Sequence, residues 1–299
     1  TRTIERLEAI YALTYPLHER GGLLAQVVAP YRTCQGTCTC QFQGRAVAVF
    51  PYIAGRNAYT DGISDGELTA VARLLAALHA TTHASLAPAS LDLPDAPDAL
   101  GTLARETFAN PFEQPIRRAL AFAEMAHTLA NDYQRGVCDL LLAQRADLLA
   151  TLATLRYRAD ELRALAPVVV LTHGDPNLAN ILMDADRRPY LIDWDGLGLG
   201  PRERDLFAFL GPQFEPFLRA YLAVAGPDVR LHAPVFAFYN DLWALQEIAD
   251  YTTRILFENA TEEQDAHAWT ELQPYLPIPH ARIQAETQAA QHAIERSLR

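Results

Sequence analysis

Residues 171–195 read LTHGDPNLANILMDADRRPYLIDWD, and this stretch decides the fold. It contains two short apolar runs, residues 181–183 and residues 189–192, with a polar turn between them. Apolar runs of this length on either side of a polar turn predict the two strands of a β-hairpin. Asn180 directly precedes the first run and Asp193 directly follows the second. The hairpin would therefore bring these two side chains close together.

Asp175 stands on the loop before this hairpin, shortly ahead of Asn180. An oxygen-rich group made of Asp175, Asn180 and Asp193 suits a hard cation, and Mg²⁺ prefers one or two carboxylates together with substrate phosphates. A base, an amide and a metal-binding carboxylate are also the groups that phosphoryl transfer requires. The alternative is that all three are ordinary turn and cap residues, because Asn and Asp favour such positions.

The size of the chain predicts two lobes, since 299 residues exceed a usual single domain. Half of the residues are hydrophobic, which is enough for a substantial core. No apolar run approaches the roughly 18 residues that a membrane-spanning helix needs. The N-terminal sequence TRTIERLEAIY is amphipathic and lacks the apolar centre of a signal peptide. We therefore expect a cytoplasmic protein without a membrane partner.

The charge balance bears on the class of partner. The 25 basic and 36 acidic residues give a net charge of −11. This balance argues against nucleic acid as a partner, because phosphate contacts need basic patches. It is compatible with a cationic substrate. All basic residues in this count are Arg, since the sequence contains no lysine.

Three of the four cysteines lie close together, at Cys34, Cys38 and Cys40, and Cys138 stands alone. Their spacing matches none of the common zinc patterns and has no His beside it. The favoured interpretation is therefore a set of small residues on a pair of strands. The alternative, a metal or redox site, needs a fourth ligand that the sequence does not indicate.

The N-terminal part reads as one helix and a small antiparallel sheet. The helix is predicted over residues 3–20, and the strands over residues 24–29, 37–42 and 46–50. A lobe boundary near residue 55 would separate an N-terminal lobe, residues 1–54, from a mostly helical C-terminal lobe, residues 55–299.

The C-terminal part combines long helical patterns with two loops. Residues 84–101 are rich in Pro, Ala and Asp, and residues 196–201 are rich in Gly, so both are predicted as loops. Ser64 or Asp65 is a candidate cap for the first helix. Helices are predicted over residues 66–83, 112–130, 132–165, 202–210, 213–225, 232–258, 261–275 and 279–298.

The central motifs resemble those of the aminoglycoside phosphotransferase family, which shares the protein-kinase-like fold. The resemblance rests on HGDPNLANIL at residues 173–182, LIDWD at residues 191–195 and GPRERDLF at residues 200–207. The sequence WDGLGLGPRERDL is most similar to spectinomycin-phosphotransferase-like members. The resemblance implies an α+β, two-lobe fold whose C-terminal lobe carries a catalytic loop and a β-hairpin. It covers about residues 5–260, and the motifs are specific as a pair.

The resemblance implies a role for each residue of the central stretch. Asp175 would orient the substrate hydroxyl and accept its proton, while His173 would support the loop by hydrogen bonding. Asn180 and Asp193 would hold Mg²⁺ against the nucleotide phosphates. An Asp at the position of Asp205 supports the catalytic loop in this family.

The resemblance also implies a nucleotide site and an acceptor site. The nucleotide would be ATP or GTP, and the acceptor would be a hydroxyl of a cationic aminoglycoside or aminocyclitol. The predicted nucleotide-binding residues are Phe50, Tyr52 and Ile53 in the hinge, with Met183 and Ile192 as walls for the base. The predicted acceptor-binding residues are Asp195, Asp241, Glu247 and Asp250. A solvated helix face is the alternative for the last three, and core packing is the alternative for Met183 and Ile192.

Two features of the family are missing from the sequence: the glycine-rich phosphate loop and the lysine that binds the α- and β-phosphates. Glu8 or Glu5 stands where the family has the Glu that pairs with this lysine, and we expect it to lack a partner. We also expect about three strands to be missing on the N-terminal side, and Arg20 or Arg45 could replace the lysine. The alternative functions are a catalytically weak or inactive kinase-like binding protein and a metal-dependent hydrolase that uses Asp175 and Asp193.

Overall fold

The computed structural model describes residues 4–81, 101, 103–125, 128–258, 261–278 and 281–297. The chain forms two compact units. The first comprises Thr1–Glu106, Val168–Leu231 and Ala293–Arg299, and the second comprises Thr107–Pro167 and His232–His292. This division does not fall at residue 55, and a lobe boundary there stays a prediction.

The helices lie close to the predicted ranges. The described residues contain ten α-helices: α1 Ile4–Glu19, α2 Asp65–His79, α3 Glu113–Met125, α4 Asp132–Ala143, α5 Arg145–Leu165, α6 Glu203–Leu206, α7 Phe214–Ala225, α8 Ala233–Phe257, α9 Glu262–Leu272 and α10 Ala281–Ser297. The pattern predicted over residues 132–165 divides at Gln144 into two helices. Most of the predicted loop at 84–101 lies outside the described residues. Among the described helices, none combines the length and the hydropathy that a membrane-spanning segment requires.

Short antiparallel strands complete the α+β fold. The described strands are β1 Cys40–Phe42, β2 Arg45–Val47, β3 Gly55–Asn57, β4 Val169–Thr172, β5 Ile181–Asp184, β6 Pro189–Leu191 and β7 Gly198–Pro201. They pair as β1 with β2, as the three-stranded sheet β3–β5–β6, and as β4 with β7. The predicted hairpin around the polar turn is thus confirmed as β5 and β6.

Two predictions of local structure were wrong. Residues 24–29 are not a strand: Gly22–Gln26 forms a 3₁₀ turn, and only Val27 makes a bridge, to Leu191. Residues 196–201 are not only a loop, because Gly198–Pro201 pairs with β4. A methyl group on Gly198 would lie 2.9 Å from the carbonyl oxygen of Ala104. Glycine is therefore used here to let backbones approach closely, and not to make a flexible turn.

Helix α2 begins with the predicted cap. Ser64 forms a capping box with Glu67, in which the hydroxyl of Ser64 accepts from the Glu67 amide at 3.4 Å and the Glu67 carboxylate accepts from the Ser64 amide at 2.9 Å. The same carboxylate accepts two 2.7 Å hydrogen bonds from Arg56 of β3 and one of 3.1 Å from Arg187. Because Arg187 lies in the turn of the β5–β6 hairpin, Glu67 connects α2 to the sheet that carries this hairpin.

The buried face of α2 follows its helical period. Val71, Leu74, Leu75 and Leu78 are all fully buried within the first unit, and each buried side chain of this size contributes roughly 1.5–3 kcal/mol. His79 ends this face and is 2% exposed.

In the second unit, the longest described helix is α8, with 25 residues.

Candidate active site

Asn180 and Asp193 lie at the same end of the β5–β6 hairpin, as the sequence predicts. Ile181 pairs with Leu191, and the Ile192 amide donates to the Asn180 carbonyl at 3.1 Å. Asp193 follows directly and adopts the left-handed conformation, with φ 61° and ψ 61°. A non-glycine residue held in this conformation carries strain, which is common at functional sites.

The Asp175 side chain is exposed and is held by two amides. Asn177 Nδ2 donates to Asp175 Oδ1 at 2.7 Å, and Asn180 Nδ2 donates to Asp175 Oδ2 at 3.3 Å. Asn180 Nδ2 also lies 2.9 Å from the Asp175 carbonyl oxygen. These contacts fix the carboxylate in one orientation on the surface of the loop, where an approaching hydroxyl could reach it.

His173 lies directly behind this loop and is fully buried. Its Nδ1 accepts from the Asp175 amide at 3.3 Å, so its Nε2 carries the proton and donates to the Ile192 carbonyl at 3.0 Å. Burial lowers the pKa of His173, although nearby Asp205 opposes this effect. The ring is therefore neutral, connects the Asp175 loop to the end of β6, and has no nitrogen left for a substrate proton.

Asp205 holds the backbone of the same loop from a buried position. Its carboxylate accepts from the His173 amide at 2.7 Å and from the Gly174 amide at 2.8 Å. Burial by itself raises the pKa of Asp205, but the hydrogen bond and charge of His79 and nearby Arg204 lower it overall. The residue therefore stays ionised, and it orients two peptide groups next to Asp175.

The sequence reasoning missed two residues that continue this network. His79 Nε2 lies 3.0 Å from Asp205 Oδ2, and His79 Nδ1 lies 2.8 Å from the Tyr221 hydroxyl. All three side chains are buried. In the sequence, His79 is only a histidine at the end of the apolar face of a predicted helix. That position does not reveal Asp205 as its partner, because Asp205 lies more than one hundred residues later in the chain.

Gly174 is required by the shape of the loop. Its φ of +93° is unfavourable for other residues, and a methyl group here would lie 2.3 Å from the Gly196 carbonyl oxygen. Trp194 packs against the ring of His173, with 4.5 Å between the two ring centroids. The Trp194 ring is held in place because its Nε1 donates to the Leu191 carbonyl at 3.0 Å. Backbone conformation and the close approach of Gly196 therefore explain the glycine at 174, and packing against His173 explains the tryptophan at 194.

The oxygen atoms at the end of the hairpin fit a hard cation. Asn180 Nδ2 donates to the backbone carbonyl and the side chain of Asp175, so the Asn180 Oδ1 atom faces away from these contacts as a possible cation ligand. The exposed Asp193 carboxylate makes no hydrogen bond or ion pair with the described residues. In the described ranges, no three His, Cys, Asp or Glu side chains form a group that could hold a metal. Two oxygen ligands plus phosphates and water match the usual coordination of Mg²⁺.

The predicted hinge residues have different surroundings. Phe50 is half-buried and packs edge-on against Tyr11 at 5.4 Å, whereas Tyr52 is 90% exposed. Ile53 lines a largely apolar cavity of 320 Å³ that Tyr15 and Tyr190 also line. Aromatic and apolar walls of this kind suit a planar ring.

Met183 and Ile192 lie on opposite faces of the hairpin, so they cannot both line one base. Met183 is 1% exposed and pairs with Pro189 on the inner face. Ile192 is half-buried, and the alternation of side chains places it on the face of Leu182 and Tyr190. The hairpin register therefore favours Leu182 as the companion of Ile192.

The predicted acceptor residues belong to different parts of the chain. Asp195 is half-buried in the first unit, in the 3₁₀ turn Trp194–Gly196. Asp241, Glu247 and Asp250 all lie on α8 of the second unit. Asp241 forms an ion pair with Arg158, so its negative charge is already neutralised. Burial raises the pKa of Glu247, and Tyr251 and Trp243 lie beside it.

Glu8 has partners, which corrects the expectation that it lacks one. Its carboxylate accepts from the Cys38 amide at 2.6 Å and from the Thr39 amide and hydroxyl at 2.8 and 2.6 Å. Burial, followed by the charge of Glu8, raises the pKa of Cys38 to about 12. This thiol therefore stays protonated and unreactive at neutral pH.

Comparisons with solved structures show the type of fold. A spectinomycin phosphotransferase, solved with ADP and spectinomycin, superposes with a TM-score of 0.71 at 16% identity, over 95% of this chain and 82% of the other. An aminoglycoside phosphotransferase from Alicyclobacillus acidocaldarius superposes with a TM-score of 0.59 at 13% identity, over 99% of this chain and 85% of the other. The fold is that of the kinase-like phosphotransferases.

Sequence comparison identifies the family. Residues 2–235 match the profile of the Phosphotransferase enzyme family, APH. Protein StrN of Streptomyces griseus is 30% identical over 278 residues, which cover 90% of this chain and 76% of that protein. The chain belongs to the APH phosphotransferase family, and it is a phosphotransferase that acts on small molecules.

Proposed function

We propose that this protein transfers the γ-phosphoryl group of ATP or GTP to a hydroxyl of a small cationic molecule, an aminoglycoside or aminocyclitol. The observation that carries this proposal is the geometry around Asp175. An exposed carboxylate is fixed by Asn177 and Asn180, and it stands at the end of the hairpin that presents Asp193. A cytoplasmic location is part of the proposal, because nucleotide triphosphates are supplied there.

Asp175 accepts the proton of the acceptor hydroxyl in this proposal. A carboxylate is a sufficient base for this step, because the alcohol loses its proton late in a loose transition state. His173 does not take the proton, since both of its ring nitrogens have partners and it is a positioning residue for the loop. Asn180 and Asp193 hold Mg²⁺, which would neutralise charge on the phosphate oxygens.

The nucleotide base is proposed to bind beside the hinge, residues 50–53, and the outer face of the hairpin. Ile192 and Leu182 share this face, and Ile53 lines the adjoining cavity with Tyr190. Spectinomycin phosphotransferase was solved with ADP and with AMP, which supports nucleotide binding in this fold. The choice between ATP and GTP is left to measurement.

The carboxylates proposed for contact with the acceptor are Asp195 in the first unit and, separately, Glu247 and Asp250 in the second unit. Among the described residues of the second unit, Glu247 and Asp250 form no salt bridge, whereas Asp241 pairs with Arg158. The net charge of −11 adds a favourable field for a cationic acceptor. Asp241, although predicted for the same site, is a weaker candidate for direct contact with an amine.

A kinase-like binding protein without transfer is the second candidate function. It is favoured by the absence of lysine, the residue that the family uses to hold the α- and β-phosphates. Exposed arginines such as Arg45 carry the same charge with a different shape. Nucleotide binding with no detectable transfer to any acceptor would support this candidate.

The decisive experiment is a transfer assay with labelled ATP or GTP, Mg²⁺ and a panel of aminoglycosides and aminocyclitols. We expect Asp175→Asn to lower kcat by about 100-fold or more, the range of general base catalysis, while the fold is kept. Asp186→Asn is the matched control, because Asp186 is an exposed carboxylate in the turn of the same hairpin. Full activity in Asp175→Asn would overturn the assignment of the base.

A further inference from the structure

A polar cavity of 370 Å³ lies wholly within the second unit. Three helices line it, and on each the lining residues recur at helical spacing, so each helix presents one face. The lining residues are Thr151, Thr154 and Arg158 of α5, Ala237 and Asp241 of α8, and Ile283, Gln284, Thr287 and Gln288 of α10. A volume above about 300 Å³ is typical of pockets for small ligands.

One ion pair provides the only charges of this lining. Arg158 Nη1 donates to Asp241 Oδ2, and the two side chains are 26% and 24% exposed. Arg158 has five N–H donors and Asp241 has a second carboxylate oxygen. Within the described part of the chain, the pair makes no other side-chain hydrogen bond, so Asp241 Oδ1 and most donors of Arg158 remain open to a ligand.

The ion pair decides the charge of the ligand. An amine placed at Asp241 Oδ1 would be repelled by the guanidinium of Arg158, and an anion at Arg158 would be repelled by Asp241. The other polar lining groups are hydroxyls and amides, which are uncharged. The cavity is therefore neutral as a whole, and it favours a ligand without net charge.

The available hydrogen-bonding groups decide the chemistry. A hydroxyl both donates and accepts, so one hydroxyl can accept from Arg158 while its neighbour donates to Asp241. Thr154 and the amides of Gln284 and Gln288 offer further donors and acceptors at the rim. Thr287 is already oriented, because it donates to the Ile283 carbonyl at 2.9 Å and accepts from Asn240 at 3.2 Å.

We propose that this cavity binds a neutral polyhydroxylated ring, a cyclitol or a monosaccharide, through vicinal hydroxyls that bridge Arg158 and Asp241. Ala237 and Ile283 provide the apolar contacts that the C–H groups of such a ring need. The site functions by binding, so it does not depend on the proposed transfer reaction. If the ring is part of the phosphate acceptor, Asp241 recognises its hydroxyls and not its amines.

The test is isothermal titration calorimetry of the full chain without nucleotide, with myo-inositol and a panel of neutral monosaccharides as probes. We expect at least one ring to bind, and Asp241→Asn and Arg158→Gln each to weaken it by about tenfold, as expected for a lost charged hydrogen bond. Arg156→Gln is the matched control, because this arginine is exposed on α5 and pairs with Glu113. The control should bind as the unmodified protein does.

A second variant protects the test against loss of folding. Thr154→Trp fills the rim at an exposed position of α5 and leaves the ion pair in place, so it should abolish binding in a folded protein. No binding of any neutral ring would overturn the proposal, as would tighter binding of an amino-substituted or phosphorylated analogue than of the neutral ring. Unchanged binding in Asp241→Asn and Thr154→Trp would also overturn it, since the ring would then bind elsewhere.

Discussion

At the scale of residues, the candidate site is organised by buried polar groups that lie behind the Asp175 loop. Asp205 orients the His173 and Gly174 amides, and His79 connects Asp205 to Tyr221. Each member satisfies the hydrogen-bonding capacity of the next, which is the condition for a buried polar network to be stabilising. The orientation of Asp175 therefore depends on contacts that extend to helix α7.

Removing the last hydroxyl of this network should loosen it measurably. Tyr221→Phe leaves His79 Nδ1 without its partner in a buried site, which should cost about 1–3 kcal/mol of unfolding free energy. Because the effect passes through His79 and Asp205 to the loop, kcat should fall several-fold while the KM for nucleotide changes little. Urea unfolding and steady-state kinetics measure both quantities. Tyr157→Phe is the control, since Tyr157 is 66% exposed, and an equal effect in both variants would refute the network.

Gly174→Ala should disable the loop itself. Both the positive φ and the 2.3 Å approach to the Gly196 carbonyl oppose a side chain, so we expect a loss of more than about 2 kcal/mol and most of the activity. Gly66→Ala is the matched control, because Gly66 lies in the first turn of α2 with nothing within 4 Å of an added methyl group. The control should be neutral or stabilising by about 0.5–1 kcal/mol. Thermal unfolding of both variants decides the matter.

At the scale of elements, the sequence predicted what local patterns determine and missed what distant contacts determine. The β5–β6 hairpin follows from two apolar runs around a polar turn, and Ser64 is recognisable as a cap from its own neighbourhood. Gly198–Pro201 becomes a strand only because β4 lies alongside it, and no local pattern contains that information. The partners of Glu8 likewise come from a segment thirty residues away.

The Glu67 connection between α2 and the hairpin should respond to acid. Burial alone would raise the pKa of Glu67, but hydrogen bonds from Ser64, Arg56 and Arg187 lower it to about 2, from an ordinary value of 4.5. A lowered pKa in the folded state means that this carboxylate stabilises the protein above pH 4.5 and loses that contribution as the pH falls toward 2. The contribution is about 2 kcal/mol, because the partner arginines are partly exposed and their ion pairs are weakened by solvent.

Glu67→Gln should therefore be less stable than the unmodified protein at pH 7, and the difference should shrink between pH 4.5 and pH 2. Urea unfolding at a series of pH values measures this dependence. Glu161→Gln is the control, since it removes an exposed carboxylate of α5 and leaves the contacts of Glu67 in place. A difference between Glu67→Gln and the unmodified protein that is independent of pH would show that the carboxylate charge has no part in the connection.

At the scale of the whole molecule, the sequence supports the family more strongly than it supports a particular acceptor. The motif pair that identifies the family is contiguous in sequence, from His173 to Asp195. The candidate acceptor residues are dispersed over both units, and the neutralisation of Asp241 depends on Arg158, which lies 83 residues earlier in the chain. The sequence alone therefore does not reveal that Asp241 is already paired, and the folded structure does.

The net charge of −11 leads to a prediction about the acceptor that does not require its identity. If the acceptor is cationic, its association is favoured by the field of the whole protein, and salt should screen that field because the Debye length falls from about 10 Å at 0.1 M to about 3 Å at 1 M. The KM for the acceptor should then rise several-fold over this range of salt. Arg156→Gln and Glu161→Gln each remove one surface charge, of opposite sign, so they should shift this KM only slightly and in opposite directions. An acceptor KM that is independent of salt would indicate recognition through hydroxyls, with no part for the acidic surface.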